Sequence, residues 1–417
     1  MSARVEHDPL QAATDLRDQL ASDKRRVAFL FGAGTSMAVG MPGIQDLSDQ
    51  VTAQLKGTVR DLYGRIEGEI KDTPHVEHVL NRVRLYRELL ESGTGGPGND
   101  LTFEEIRSLD AEICSAISRI VTCDPPQGRK PHVTFAQWVR ALYADREYPI
   151  EIFTTNYDLL IEHALEAVRA PFFDGFVGSV APFFCPESVG ADSLPGDEPM
   201  RPPRSWTRLW KLHGSVNWKT TRDTLTGNSR ISRQPGTGSD SGGELMIFPS
   251  RDKYSESRRL PFLTCQDRLR RLIASGETLL MVAGYSFSDE HINEILLQGL
   301  QSNSRLAVTT LAFGTPGGDG TKRAVDDRTV QLGQTHRNLT ILGPDRACIG
   351  GVDGCWSVPK STPRSESFWD ASQSAFSLGD FTAFTEYLER FIGFSEVAES
   401  AATIPATDQH KTEDGVT

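Results

Sequence analysis

The chain has 417 residues, 38% of them hydrophobic, and carries a formal net charge of −12. That length predicts one large domain with insertions or two to three units, and the negative balance argues against broad, nonspecific nucleic-acid binding. No apolar run reaches transmembrane length and the polar first twenty residues are no secretory signal, so a cytoplasmic location is expected.

Residues 1–26 predict a frayed start and one helix with Leu10, Leu16 and Leu20 on a rough stripe. Val27 to Phe31 is an apolar run with the length of a strand buried on both faces. Gly32-Ala33-Gly34 follows at once, a turn that would let a ligand's phosphate approach bare backbone N–H groups. Thr35 and Ser36 add hydroxyls, and Gly40-Met41-Pro42-Gly43 breaks the chain again. The dinucleotide fingerprint fails, because its third glycine would fall at Met37, and no Gly-Lys-Ser/Thr follows for a phosphate loop.

From Asp46 to about Tyr143 the pattern is helical, with Thr102 as a possible cap and Glu105 three residues later. This predicts a helical insert of about a hundred residues after the first strand. The next strand opens at Pro149, carries Ile150, Ile152 and Phe153, and ends in Thr154, Thr155 and Asn156. Asp158 then opens an amphipathic helix. Residues 171–206 are loop-rich, and Arg208 to Trp218 reads as a single strand. Residues 226–243, rich in glycine and serine, predict a mobile segment that covers a site or stays disordered. A short strand at 244–250 and a helix near 260–275 lead to the strand 278–286, a helix 288–302, the strand 306–314 and a last strand, 339–343. This alternation predicts the α/β class, with a mostly parallel sheet flanked by helices. Residues 346–367 read as loop, 368–394 as an aromatic-rich helical segment that contacts a partner or packs back on the sheet, and the rest as a disordered tail.

In such a sheet the carboxyl ends of strands form the ligand crevice. Four ends carry small or polar residues: Gly32 to Ser36, Thr154 to Asp158, His213-Gly214, and Gly284-Tyr285-Ser286. His213 is the best acid–base candidate, since imidazole titrates near neutrality; Asn156 and Asp158 can orient a water or hold an amide, though both are also common at turns for local reasons. Asp289 suits the cap of the following helix. His75 and His78, with Glu77 between them, read as a solvated helix face rather than metal ligands, and the arginine clusters 201–211 and 258–271 read as solvated faces too. The cysteines Cys114, Cys123, Cys185, Cys265, Cys348 and Cys355 form no Cys-x-x-Cys pair, which argues against a zinc ribbon and for reduced, buried thiols.

Gly-Ala-Gly-Thr-Ser at 32–36 with Gly-Met-Pro at 40–42, then Thr-Thr-Asn-Tyr-Asp at 154–158, Leu-His-Gly-Ser at 212–215 and Gly-Tyr-Ser-Phe-Ser-Asp-Glu-His-Ile at 284–292, in this order, resembles the sirtuin-like superfamily. Over about 27–300 it is similar to the bacterial sirtuin-like NAD-cleaving proteins of anti-phage defence. The resemblance implies a Rossmann-like NAD-binding domain at 1–45 and 146–345, a helical insert at 46–145, and a C-terminal extension with disordered tail at 346–417. It implies catalytic roles for Asn156, His213 and Asp158. It implies NAD contacts from Gly32, Ala33, Gly34, Thr35, Ser36, Pro42, Thr155, Gly284, Tyr285, Ser286 and Asp289. Deacetylating sirtuins carry Asp-Phe-Arg after Gly-x-Pro, glutamine before the asparagine, and zinc-binding cysteine pairs; here Gly43-Ile44-Gln45 follows Pro42 and Thr155 precedes Asn156. These departures weaken a deacetylase reading and leave NAD+ cleavage standing, with NAD+ as substrate and no zinc expected. The expected function is a gated, homo-oligomeric NAD+ glycohydrolase, resembling the subunit that pairs with a HerA-type ATPase and touching nucleic acid only through that partner. The alternative is a non-catalytic NAD- or ADP-ribose-binding regulatory subunit of such a complex.

Overall fold

Five consecutive apolar residues leave a strand no face for water, so Val27–Phe31 needs cover on both sides. The computed structural model, which describes residues 5–71, 74–93, 101–122, 130–142, 146–190, 201–222, 229–234, 244–247, 256–316, 323–358 and 367–392, supplies that cover. The N-terminal part runs β1 (Glu6–His7), α1 (Pro9–Ala21), β2 (Arg26–Phe31) and α2 (Ala33–Met37). The insert contributes α3 (Ile44–Gln54), α4 (Gly57–Glu67), α5 (Val76–Glu91), α6 (Phe103–Val121) and α7 (Pro131–Leu142). Then come β3 (Glu151–Thr154), α8 (Leu160–Ala167), β4 (Phe172–Phe173), β5 (Phe176–Val177), β6 (Phe183–Phe184), α9 (Pro186–Gly190), β7 (Thr207–Lys211), β8 (Gly214–Arg222), β9 (Ser229–Arg233) and β10 (Glu244–Ile247). The last part holds α10 (Glu256–Ala274), β11 (Thr278–Ala283), α11 (Glu290–Ser302), β12 (Leu306–Leu311), β13 (Thr315–Pro316), β14 (Arg323–Ala324), α12 (Asp327–Thr335), β15 (Leu339–Leu342), β16 (Arg346–Ile349), β17 (Val352–Trp356), β18 (Trp369–Asp370), β19 (Ala375–Phe376) and α13 (Phe381–Glu389).

The main sheet has the order β1-β17-β16-β15-β12-β11-β2-β3-β7-β4. Its neighbours are parallel except β15–β16 and β16–β17. The expected α/β class with a mostly parallel sheet flanked by helices is what the chain adopts. Strand alternation sorts the two covering layers. Phe29 and Phe31 point into a core shared with α1, α7, α8 and α13, while Ala28 and Leu30 join the opposite core under α10 and α11. The phenyl rings of Phe29 and Phe31 meet Phe135 edge-on at 5.0 and 5.1 Å. A third core binds α3 to α6 together and takes in Tyr157, Leu159 and Val216. In α6 the capping box is present: Thr102 and Glu105 satisfy each other's backbone N–H groups.

Several local expectations are corrected. The segment from Arg208 to Trp218 is not one strand. β7 stays in the main sheet and β8 opens a second, antiparallel sheet of order β10-β8-β9-β6-β5. The break falls at Leu212-His213-Gly214, where Gly214 takes φ +87°, a left-handed conformation open to glycine. The segment 226–243 contains β9, paired with β8; its positions 226–228 and 235–243 lie outside the described residues. β15 is not the last strand, and 346–356 is not a loop: β16 and β17 form a hairpin that widens the sheet. The aromatic segment packs back, with Phe368, Phe376, Phe381, Phe384 and Tyr387 buried beside α1 and α7; the tail beyond 392 lies outside the described residues. Cys114, Cys185, Cys265 and Cys348 are buried free thiols and Cys355 is half-buried, while Cys123 lies outside the described residues. Among the described residues no helix is long and apolar enough to cross a membrane.

The basic clusters are solvated faces only in part: Arg204, Arg270 and Arg271 are exposed, whereas Arg208, Lys211 and Arg268 are buried. Arg208 is buried and donates to the carbonyls of Pro202, Pro203 and Trp206 at 3.0, 3.1 and 2.7 Å. Buried Lys211 bonds the Asp158 carbonyl and reaches Glu162 at 2.9 Å. Arg268 grips Glu151 through Nε and Nη2 at 2.8 and 2.7 Å, and the Trp210 indole donates to the same carboxylate at 2.8 Å. Burial opposes ionisation of Glu151, but Arg268, Trp210 and Arg208 outweigh it and hold the carboxyl below its ordinary value. Removing one partner strands the other charge between sheet and helix. Arg268→Ala is expected to lower unfolding free energy by about 3–5 kcal/mol, read from the midpoint of a denaturant titration. A midpoint within error of the parent would show that the pair carries no such weight.

Candidate active site

The chain runs from β2 to β3 and β7 on one side of the sheet, then returns to β11, β12 and β15 on the other. β2 is therefore the switch point, where loops leave in opposite directions and open a crevice. A cleft of about 1130 Å³ lies there, lined by residues at the carboxyl ends of β2, β3, β7, β11 and β12 and by the insert.

Its floor is a contact between two glycine turns. The Gly32 N–H donates to the Ala283 carbonyl at 3.1 Å and the Gly34 N–H to the Gly284 carbonyl at 2.9 Å. A Cβ on Gly34 would stand 2.6 Å from the Gly284 Cα, and one on Gly32 would stand 2.5 Å from the Gly284 oxygen. Gly284 itself sits at φ +63°. The glycines are thus needed so that two strand ends can touch. The expectation that they bare N–H groups for a phosphate is corrected: the N–H groups of Gly32, Gly34 and Thr35 are bonded within the protein, the last to the Gly32 carbonyl at 3.0 Å.

A polar chain crosses this floor. Asn156 Nδ2 donates to the Gly32 carbonyl at 3.1 Å, to Thr35 Oγ1 at 3.1 Å and to Ser36 Oγ at 2.7 Å. Ser36 Oγ donates onward to Asp158 Oδ2 at 2.6 Å, and Asp158 Oδ1 accepts from the Leu160 N–H at 3.0 Å, at the start of α8. Thr155 is tied to β2 by its N–H on the Phe31 carbonyl at 3.0 Å. Opposite, His213 Nε2 meets Asp289 Oδ2 at 2.7 Å, while Asp289 Oδ1 accepts from the N–H groups of His291 and Ile292 at 2.9 and 3.2 Å. Burial works against ionisation of Asp289, but His213 and those two N–H groups outweigh it and hold the carboxyl below its ordinary value. Asp289 accepts, so His213 presents an N–H at Nε2, in a ring fixed by its partner.

Of the residues expected here, Ala33, Gly34, Ser36, Pro42, Thr155, Asn156, Asp158, His213, Gly284, Tyr285, Ser286 and Asp289 line the cleft together. Gly32 and Thr35 are buried behind its wall, Thr35 with its hydroxyl on the Gly32 carbonyl at 2.9 Å. Asp289, expected to hold ligand, is bonded to His213 and caps α11. The cleft also takes in His75, Glu77 and His78: His78 is exposed, as a solvated face would have it, while His75 and Glu77 are half-buried at the cleft wall. The two imidazoles stack at 3.6 Å, and burial, with His78 beside it, lowers His75 to about 4. The Tyr157 hydroxyl donates to Glu77 Oε1. The signal for this was the histidine-rich first turn of α5, but only the fold says that it faces the strand ends.

A family model described as a SIR2-like domain matches residues 150–330. Residues 150–330 are thus similar to a SIR2-like domain. The match holds Asn156, His213 and Asp289; it begins at β3, so β2, the Gly32–Ser36 turn and the insert lie outside it, against an expected resemblance over about 27–300. No curated protein matches the chain. Among solved structures, a Sir2 homologue in complex with NAD is 15% identical, over 74% of this chain and 85% of that one, with a TM-score of 0.36. A triple mutant of a Sir2 homologue with 2′-O-acetyl ADP-ribose is 16% identical over 71% and 83%, with a TM-score of 0.33. A mutant Sir2 homologue with ADP-ribose is 15% identical over 73% and 86%, with a TM-score of 0.31.

The glycine contact in the floor is testable. Gly284→Ala places a side chain at positive φ against the Gly34 and Thr35 backbone, whereas Gly57→Ala does so at φ +54° in open space. Left-handed backbone costs about 1–3 kcal/mol in either, so Gly284→Ala should destabilise by clearly more than Gly57→Ala in matched denaturant titrations. Equal losses would refute the close packing.

Proposed function

We propose that this chain hydrolyses NAD+ to nicotinamide and ADP-ribose. The observation that supports the reading best is the pairing, across one switch-point cleft of a SIR2-like domain, of a carboxylate-fixed His213 with an anchored Asn156. The Nδ2 end of Asn156 is held by the Gly32–Ser36 turn, which presents Oδ1 to a ribose hydroxyl or a water. The nicotinamide–ribose bond breaks with its electron pair passing to the ring nitrogen, and positive charge develops on the ribose. A site that holds the ribose, orients the leaving ring and admits one water lowers that barrier by positioning and charge complementarity. His213 Nδ1 takes a proton from the water or from a ribose hydroxyl, and Asp289 stabilises the imidazolium that forms. Ala33, Gly34, Ser36 and Pro42 take the phosphate and ribose side, Thr155 and Asp158 the nicotinamide side, and Gly284, Tyr285 and Ser286 the adenosine half.

Unrestrained NAD+ loss harms the host cell, so the reading includes a gate. We place the chain as a homo-oligomeric effector of anti-phage defence that is switched on with a HerA-type ATPase. The sequence motifs support this context.

Purified protein with its activating partner is expected to release nicotinamide from NAD+. His213→Ala and Asn156→Ala should each lower kcat roughly 100-fold or more, measured by chromatographic nicotinamide release. Unchanged release in both variants would overturn the assignment. Calorimetric binding of NAD+ or ADP-ribose without turnover in the assembled complex would favour a regulatory, non-catalytic subunit.

A further inference from the structure

One side chain in the cleft has no part in the chemistry above. Glu77 stands in the first turn of α5, two residues after the His75 N-cap, and lines the cleft. Its Oε1 receives the Tyr157 hydroxyl. Tyr157 follows Asn156 directly, and its ring centroid lies 6.5 Å from that of His213. Glu77 from the insert and Asp289 from α11 therefore act on one imidazole from elements far apart in the chain.

Their surroundings drive the two acids in opposite directions. Asp289 has two backbone N–H groups and His213 to stabilise its charge. For Glu77, burial pushes the carboxyl up, His213 pulls it down, Asp289 pushes it up again, and it settles at about 7. The other ionisable groups lining the cleft are His75 and His78 on α5, Tyr157 after β3, Arg270 on α10, Tyr285 after β11, Glu290 and His291 on α11, and Asp46, Asp158 and Asp326 elsewhere on the wall. Arg84 and Arg87, further along α5, engage Asp110 on α6 at 3.2 and 2.6 Å. The charges that act on Glu77 are those of His213 and Asp289. Two carboxyl groups driven in opposite directions beside one imidazole fit a division of acid–base labour.

We propose that Glu77 is the general base for water in the NAD+ cleavage above, a catalytic residue that the helical insert supplies. The inference rests on that reading of the site. As the C1′–nicotinamide bond breaks, its electron pair goes to the pyridine nitrogen. The water oxygen bonds to C1′, and the water's proton passes to the Glu77 carboxylate and then to solvent. His213, fixed by Asp289, is left to hold a ribose hydroxyl. Tyr157 is a positioning residue that aims the carboxylate.

The test is kcat at saturating NAD+ from pH 5 to 9, for the assembled wild type, E77Q and E77D. Wild-type kcat should rise through about pH 7. E77Q should lose roughly 100-fold in kcat, keep KM within a few-fold, and lose the rising limb. E77D should regain part of the rate and the limb, which also covers the case in which E77Q fails to fold. E77Q with wild-type kcat and an intact limb overturns the assignment while leaving NAD+ cleavage in place. A wild type that releases no nicotinamide overturns both.

Discussion

The Gly34 N–H reaches the Gly284 carbonyl at 2.9 Å, and the Gly32 N–H reaches Ala283 at 3.1 Å. Two parallel strands, β2 and β11, are thereby joined past the point where their regular pairing ends at Phe31 and Ala283. No side chain fits between them. Two polar chains in the cleft are built outward from this joint. Asn156 is anchored to the carbonyl and hydroxyls of the Gly32–Ser36 turn, Ser36 fixes Asp158, and Asp158 starts α8. On the other side, Gly284 sets the path to Asp289, which caps α11 and orients His213. The backbone contact thus fixes the distance between the two halves of the site before any ligand enters.

Beneath the floor, charge is handled differently from within it. Glu151 is buried with Arg268 and Trp210 close enough to favour its ionised form. A carboxyl held down in the folded state adds stability above its ordinary value, and loses it as pH falls through the folded value. Glu77 has the opposite sign. Its contribution is fully present below the ordinary carboxyl value and is lost as pH rises through about 7. The scaffold therefore spends its best charge pairing in the sheet and leaves one acid under-stabilised where the cleft is. That is the pattern expected when a site, rather than the core, needs the titrating group.

The sheet was legible because its strands are buried on both faces. Runs such as Val27–Phe31 and Thr278–Ala283 carry no competing period, and their small or polar ends marked the crevice. Several things were hidden for identifiable reasons. The break inside Arg208–Trp218 turns on one positive-φ glycine, Gly214, set in a continuous apolar–polar run. β16 and β17 are short, and their hairpin turn of adjacent glycines, Gly350-Gly351, looks like loop composition. Arg208, Lys211 and Arg268 read as surface because sequence does not show the carbonyls and carboxylates that take up their charge. Glu77 was invisible for a related reason: it belongs to the insert by sequence and to the strand ends by position.

That last displacement makes the insert part of the site's geometry. Tyr157, in the loop that carries Asn156, is buried in the core that α3 to α6 share with Leu159 and Val216. α3 starts just after the Gly40–Gly43 break, and its Ser48 hydroxyl accepts the Val76 N–H at 2.7 Å, fixing the first turn of α5. A path of direct contacts therefore runs from the glycine turn through Pro42 and α3 to α5, Glu77 and Tyr157, and back to Asn156. The Glu77–Tyr157 bond therefore ties the position of α5 to the residue next to Asn156. Sheet and insert thus share the cleft wall, so docking of the insert and completeness of the site are governed by the same contacts.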